Sequence, residues 1–169
     1  MGVFIWHQWA QIVGIFASVC TIWGGLWGIF FRKFFWDFVN GTLMPGPNHA
    51  INGRKCFDDN PCGIVPAKQD AIFISLIVKA PVIQLFVILF GITHLAIELL
   101  PVIRRMSIYR SFALRIVTYS LQTFLSVLLY QGTSGAMYSF VAVIGFTVAQ
   151  MKGEIVEEAK EQRGRGDKA

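Results

Sequence analysis

The residues able to carry chemistry in this chain are few and lie far apart. Histidine occurs at positions 7, 49 and 94, and no HxxxH or HExxH spacing puts two imidazoles on one helix face. No Gly-rich phosphate loop is present, and no Ser, His and Asp are placed to form a nucleophilic set. His94 and Glu98 stand four residues apart near the end of an apolar run. They read as a polar pair at a membrane interface, because a proton relay needs further partners at mid-depth. An enzyme of lipid headgroups sets several acids or histidines at the membrane surface, and this pattern is missing. The sequence therefore predicts a protein that is not an enzyme, with no cofactor and no bound metal.

Cys56 and Cys62 flank Asn60-Pro61, a turn signal, in "CFDDNPC". They close a small disulfide loop on an oxidising side and stay free thiols on a reducing one. Zinc needs four ligands, and beyond His49 no fourth candidate stands out.

The elements that hold these residues are read from hydropathy. Of 169 residues, 54% are hydrophobic and 15% charged, against about 25% charged in a typical globular domain. Mean hydropathy is +0.55. The apolar residues cluster into runs of about 20, the length that crosses a bilayer. The net charge of +5 flanks these runs rather than forming a patch. Lipid headgroups, and not nucleic acid, are the expected anionic neighbours. Spans are expected at about 7–31, 71–100, 111–130 and 133–151, with a loop at 42–70 and a charged tail at 152–169 that continues helical to about Gln162. Lys79-Ala80-Pro81 interrupts the long second run, leaving Val82 to Leu99 as its spanning part. The expected fold is an all-α, antiparallel four-transmembrane-helix bundle, residues 1–151. Met1 to Ala10 holds no Lys or Arg, so the first run is expected to be a retained anchor and not a signal peptide.

"IFFRKFFWDFVNG", Ile29 to Gly41, has six aromatic residues in thirteen. Its spacing predicts that the first helix continues through an aromatic belt, with Arg32 over Trp36, Lys33 facing Asp37, and Phe38 on the same face as Phe31 and Phe35. Asn40-Gly41 would end it. Arg32, Lys33, Trp36, Asp37 and Phe38 form the expected interfacial belt.

The side carrying both termini and the second loop has nine Lys and Arg, and the first loop has five. The positive-inside rule then predicts cytosolic termini, in the plasma membrane or an endomembrane. Arg32-Lys33 argues locally for the opposite insertion of the first helix. Arg104, Arg105 and Arg110 are expected to sit on anionic headgroups, each contributing roughly 1 kcal/mol.

Helices in lipid gain from close packing where side chains are small. Ala10, Gly14, Ser18, Gly24 and Gly28 make such a stripe on the first helix, and Gly135, Ser139 and Ala142 another on the fourth. They predict a tight contact, either between these two helices or with another protein. The expected function is that of an accessory or structural subunit, packing against a larger membrane protein or against copies of itself. The alternative is a small oligomeric transporter or channel with Lys79 and Gln84 along its path.

The motifs "FFRKFFWDFVNGTL" (30–43), "IVKAPVIQ" (77–84), "IYRSFALRIV" (108–117), "YQGTSGA" (130–136) and "EEAKEQRGRG" (157–166) resemble a family of small four-helix membrane proteins from filamentous fungi, classed as a domain of unknown function. The resemblance covers almost the whole chain. It implies an integral membrane protein with no assigned activity and no catalytic residues to carry over. The loop from Met44 to Lys68, with its two cysteines, departs from the family pattern.

Overall fold

The computed structural model describes residues 5–36, 39, 42–43, 64–65, 67–100 and 111–155. Asp37, Phe38, Cys56, Cys62, Arg104, Arg105 and Arg110 lie outside them. The described chain is almost wholly helical.

Helix α1, Trp6–Phe30, is 25 residues long, about 37 Å at 1.5 Å per residue. Its inward face is small: Ala10, Gly14, Ala17, Ser18, Thr21, Gly24, Gly25 and Gly28 are buried. Its outward face is large and apolar, with Ile12, Phe16, Trp23 and Phe30 exposed. A soluble helix is arranged the other way round.

The aromatic stretch does not continue the helix. α1 stops at Phe30, and residues 32–36 turn back across the end of the fold. An isolated bridge and the two backbone hydrogen bonds that make it explain the exit. Phe34 forms an isolated antiparallel bridge with Leu129, the Phe35 N–H donates to Leu128 O (3.1 Å), and the Tyr130 N–H donates to Lys33 O (3.5 Å). The Trp36 indole N–H donates to Val127 O at 3.1 Å. The expected Lys33–Asp37 pair lies outside the described residues, and other contacts are seen for the two cations. Arg32 donates to the carbonyls of Ile29 and Lys79, and Lys33 lies 5.2 Å over the Tyr130 ring. Aromatic spacing fitted a helix equally well because packing across the helix ends uses the same side chains.

Two short strands, β1 (Thr42–Leu43) and β2 (Ile64–Val65), pair antiparallel and join the two ends of the first loop. A 3₁₀ turn at Lys68–Asp70 leads into α2, Ala71–Ile74, and a π turn at Ser75–Lys79. Ala80-Pro81 breaks the run, and α3, Val82–Leu99, follows. Gln84 bridges the break: its side-chain amide donates to Ile77 O (2.8 Å) and Gly28 O (3.2 Å).

Helix α4, Phe112–Val127, is capped by Ser111, whose hydroxyl accepts from the Leu114 N–H. It has 16 residues, about 24 Å, short of a hydrocarbon core of about 30 Å. The predicted third span to Tyr130 is thus cut back, since Leu128 and Leu129 are used to pair with the Phe34–Phe35 segment. A 3₁₀ turn, Tyr130–Gly132, opens α5, Thr133–Met151. α1 packs most closely on α5 and α3, and α4 on α5.

The last helix does not run on unbroken into the charged tail, whose residues from 156 to Gln162 lie outside the described ones. α5 stops at Met151, and Gly153 adopts φ +67°, a left-handed conformation that glycine takes without a Cβ penalty. The Gly153 N–H reaches Gln150 O and the Glu154 N–H reaches Ala149 O, both at 3.0 Å, which is a Schellman closure. α1, α3 and α5 (with its leading turn) are long and apolar enough to cross a membrane.

Candidate functional site

The interior holds a column of polar side chains. α4 supplies most of it, because Arg115, Tyr119, Gln122 and Ser126 recur at steps of four, three and four and so share one buried face. α3 supplies His94 and Glu98, one turn apart and 3% and 1% exposed.

Glu98 Oε1 stands 3.1 Å from Arg115 Nη1, and the guanidinium lies 5.0 Å from the Phe146 ring centroid. Both charges are almost fully buried. An ion pair here offsets the cost of holding either charge away from water, a cost neither could bear alone. One turn deeper, the His94 ring stacks on Tyr119 with centroids 4.1 Å apart, and Nδ1 faces Gln122 Oε1. Gln122 in turn donates to Ser139 Oγ (2.8 Å) and Thr21 Oγ1 (3.1 Å). Ser139 spends its own proton on Gly135 O, so its oxygen must accept. That orients the Gln122 amide, turns its oxygen toward His94, and assigns the His94 proton to Nδ1.

Gln122 therefore ties α4 to α3, α1 and α5 at one level. His94 and Glu98, read from the sequence as a polar pair, both face α4 partners inside the fold. The signal was legible as the one-sided polar stripe of α4, which in an apolar environment marks the interior face.

Both small-residue stripes are buried inside this chain. A Cβ on Gly24 would lie 2.6 Å from Gln131 O, and one on Gly135 would lie 2.5 Å from Thr21 Oγ1, so α1 and α5 meet nearly backbone to backbone. A Cβ on Gly145 would lie 2.8 Å from Ala10 Cβ, while Ala142 is fully buried in the adjoining core. Gly14 and Gly28 face other helices: Gly14 makes room for the Tyr119 hydroxyl, and Gly28 for Gln84. Ser18 donates to its own helix at Gly14 O. Lys79 is exposed and does not line the interior.

A second polar cluster sits where the chain's two ends meet. The first turn of α1 has no side-chain cap of its own. Instead the Trp6 and His7 N–H groups donate to the Glu154 carboxylate at 3.0 and 2.9 Å, and His7 Nδ1 lies 2.9 Å from it. Burial alone would raise the Glu154 carboxyl. The hydrogen bonds from the His7 and Trp6 backbone and the His7 ring outweigh it and hold the group below the ordinary carboxylate value. Lys152 lies 5.2 Å over the Trp6 ring. Among the described residues no group of three His, Cys, Asp or Glu could hold a metal ion.

These features define a helical protein with three membrane-length helices around a buried polar column. The DUF7727 family, described as a domain of unknown function, matches residues 1–154, and the chain belongs to it. No curated protein and no solved structure matches the chain.

Proposed function

We propose that the chain is a multi-pass membrane protein in which α1, α3, α4 and α5 all cross the bilayer as an antiparallel four-helix bundle, and that it works without enzymatic chemistry as a small accessory or structural subunit. The observation that carries this is the inverted distribution of side chains. Arg115, Glu98, His94 and Gln122 are inside, while Trp23, Phe30, Leu89 and Phe124 are outside. Lipid is the solvent that such an exterior suits. α4 is short, but its outward face of Leu114, Val117, Leu121 and Phe124 is exposed and apolar like the others.

The small stripes are taken up by internal contacts, so a partner would meet the large outer side chains of α1. Arg104, Arg105 and Arg110 would then lie on anionic cytosolic lipids, with both termini cytosolic. The motif resemblance supports a fungal source. The test is purification from the native membrane in mild detergent, with the particle's mass and composition measured. A larger protein in fixed stoichiometry is expected. The chain alone as a defined oligomer would overturn the subunit reading.

The buried Glu98–Arg115 and His94–Gln122 contacts favour a second reading, a proton-coupled transporter or pore. Proteoliposomes showing a pH-driven flux abolished by Glu98→Gln would support it, and an unchanged baseline would remove it.

A further inference from the structure

A groove of about 400 Å³ runs between α4 and α5 on the outer surface, lined by Thr123, Val127, Thr133, Ala136, Met137 and Phe140. Phe35 and Trp36 close its end, and the Trp36 indole is pinned there by its bond to Val127 O. The two threonine hydroxyls turn away from the space: Thr123 donates to Tyr119 O and Thr133 to Tyr130 O. The wall they leave is hydrocarbon. From Thr133 to Phe140 the groove is seven residues deep, about 10 Å, or two-thirds of one monolayer of a hydrocarbon core about 30 Å thick.

A cation stands next to the end that Phe35 and Trp36 line. In extended backbone, residues two apart point the same way, and both Lys33 and Phe35 reach the Tyr130 ring, at 5.2 and 6.1 Å. Lys33 is exposed beside the groove's closed end. A deep apolar slot with a cation at its interfacial end fits a molecule that has an apolar chain and an anionic head. A single extended hydrocarbon chain fits within that volume, and a packed helix would add no anionic group to meet the cation.

We propose that the groove between α4 and α5 holds one acyl chain of an anionic glycerophospholipid whose phosphate meets Lys33. This rests on the membrane reading above, which a carbonate wash of native membranes tests separately: a chain released without detergent would defeat that reading, and one retained leaves the lipid question intact. The full chain, purified in mild detergent, is titrated with phosphatidylglycerol or phosphatidylcholine of the same acyl chains, and bound lipid is counted by native mass spectrometry. One phosphatidylglycerol per chain is expected, held in preference to phosphatidylcholine. Lys33→Gln, a change at an exposed side chain, should reduce that preference about fivefold, equivalent to about 1 kcal/mol for one interfacial cation. Thr123→Phe should fill the slot and remove the bound lipid of either kind. Equal retention of the two lipids, a preference that survives Lys33→Gln, or undiminished binding in a folded Thr123→Phe protein would each overturn the proposal.

Discussion

The α1–α5 contact and the α3–α4 contact join helices by different means. At α1–α5 the backbones approach until Gly24 and Gly135 leave no room for a Cβ. At α3–α4 the link is polar, through Glu98–Arg115 and His94–Gln122. The first kind gains from many weak dispersion contacts, and it tolerates no added volume. The second concentrates its energy in a few groups, and it tolerates no lost partner. Gln122 belongs to both, since it reaches Thr21 on α1 and Ser139 on α5. The difference teaches that the close contact fixes how near the helices lie and the polar contact fixes their register.

The largest effect should come from breaking the polar side alone. Arg115→Met takes the guanidinium away from the buried Glu98 carboxylate and should lower stability by about 3–5 kcal/mol in detergent unfolding. Glu98→Leu with Arg115→Met should recover most of that loss, because both charges of the pair are then removed together. A double variant no better than the single would show that the pair does more than neutralise itself.

Breaking the close side is the next test. Gly135→Leu forces atoms against the Thr21 backbone, and a loss of about 1–3 kcal/mol is expected from overpacking. Gly153→Leu has no neighbour to strike and should act only through its positive φ. Comparing their melting temperatures separates crowding from backbone strain.

Gln122→Leu sharpens the comparison, since it removes the group shared by both contacts. Hydrogen bonds between membrane helices average about 0.6 kcal/mol, so loss of three contacts should amount to about 1–2 kcal/mol. Additivity with Gly135→Leu, measured as a double-mutant cycle, should fail because Ser139 lies in both environments.

The smallest effect lies outside the helices. Glu154→Gln should cost about 1 kcal/mol, the worth of a helix cap. The folded Glu154 carboxyl titrates below its unfolded value of about 4.3. Its contribution is therefore complete above that value and is lost as pH falls through the lower folded value. Stability of wild type and Glu154→Gln should differ at pH 6 and converge as the medium is acidified. Curves that stay parallel would remove Glu154 from the account.

The sequence displays the helices themselves and the break at Ala80-Pro81, because apolar run length and proline act locally. Gly14, Gly24 and Gly135 mark close approach wherever they fall on a helix, but nothing local says which helix approaches. The polar column was half legible. His94 and Glu98 stood out by spacing, and Arg115 and Gln122 were visible as single polar residues. Their meeting depends on the antiparallel register of α3 and α4, which is a tertiary fact. The Phe31 to Trp36 stretch was misread for a similar reason. Its partners, Leu128, Leu129 and Tyr130, lie nearly a hundred residues away. The end of α5 is available in the sequence as Gly153.

The turn at Gly153 has a consequence for the order of assembly. The opening N–H groups of α1 receive a carboxylate that follows the last helix. Segments of a chain are made from the N-terminus onward, so α1 is synthesised long before its cap exists. Its first turn stays unfinished until α5 has folded and brought Glu154 back to the start of α1. A helix made before α5 is thus completed only after it, and its closing marks that α1 and α5 have met.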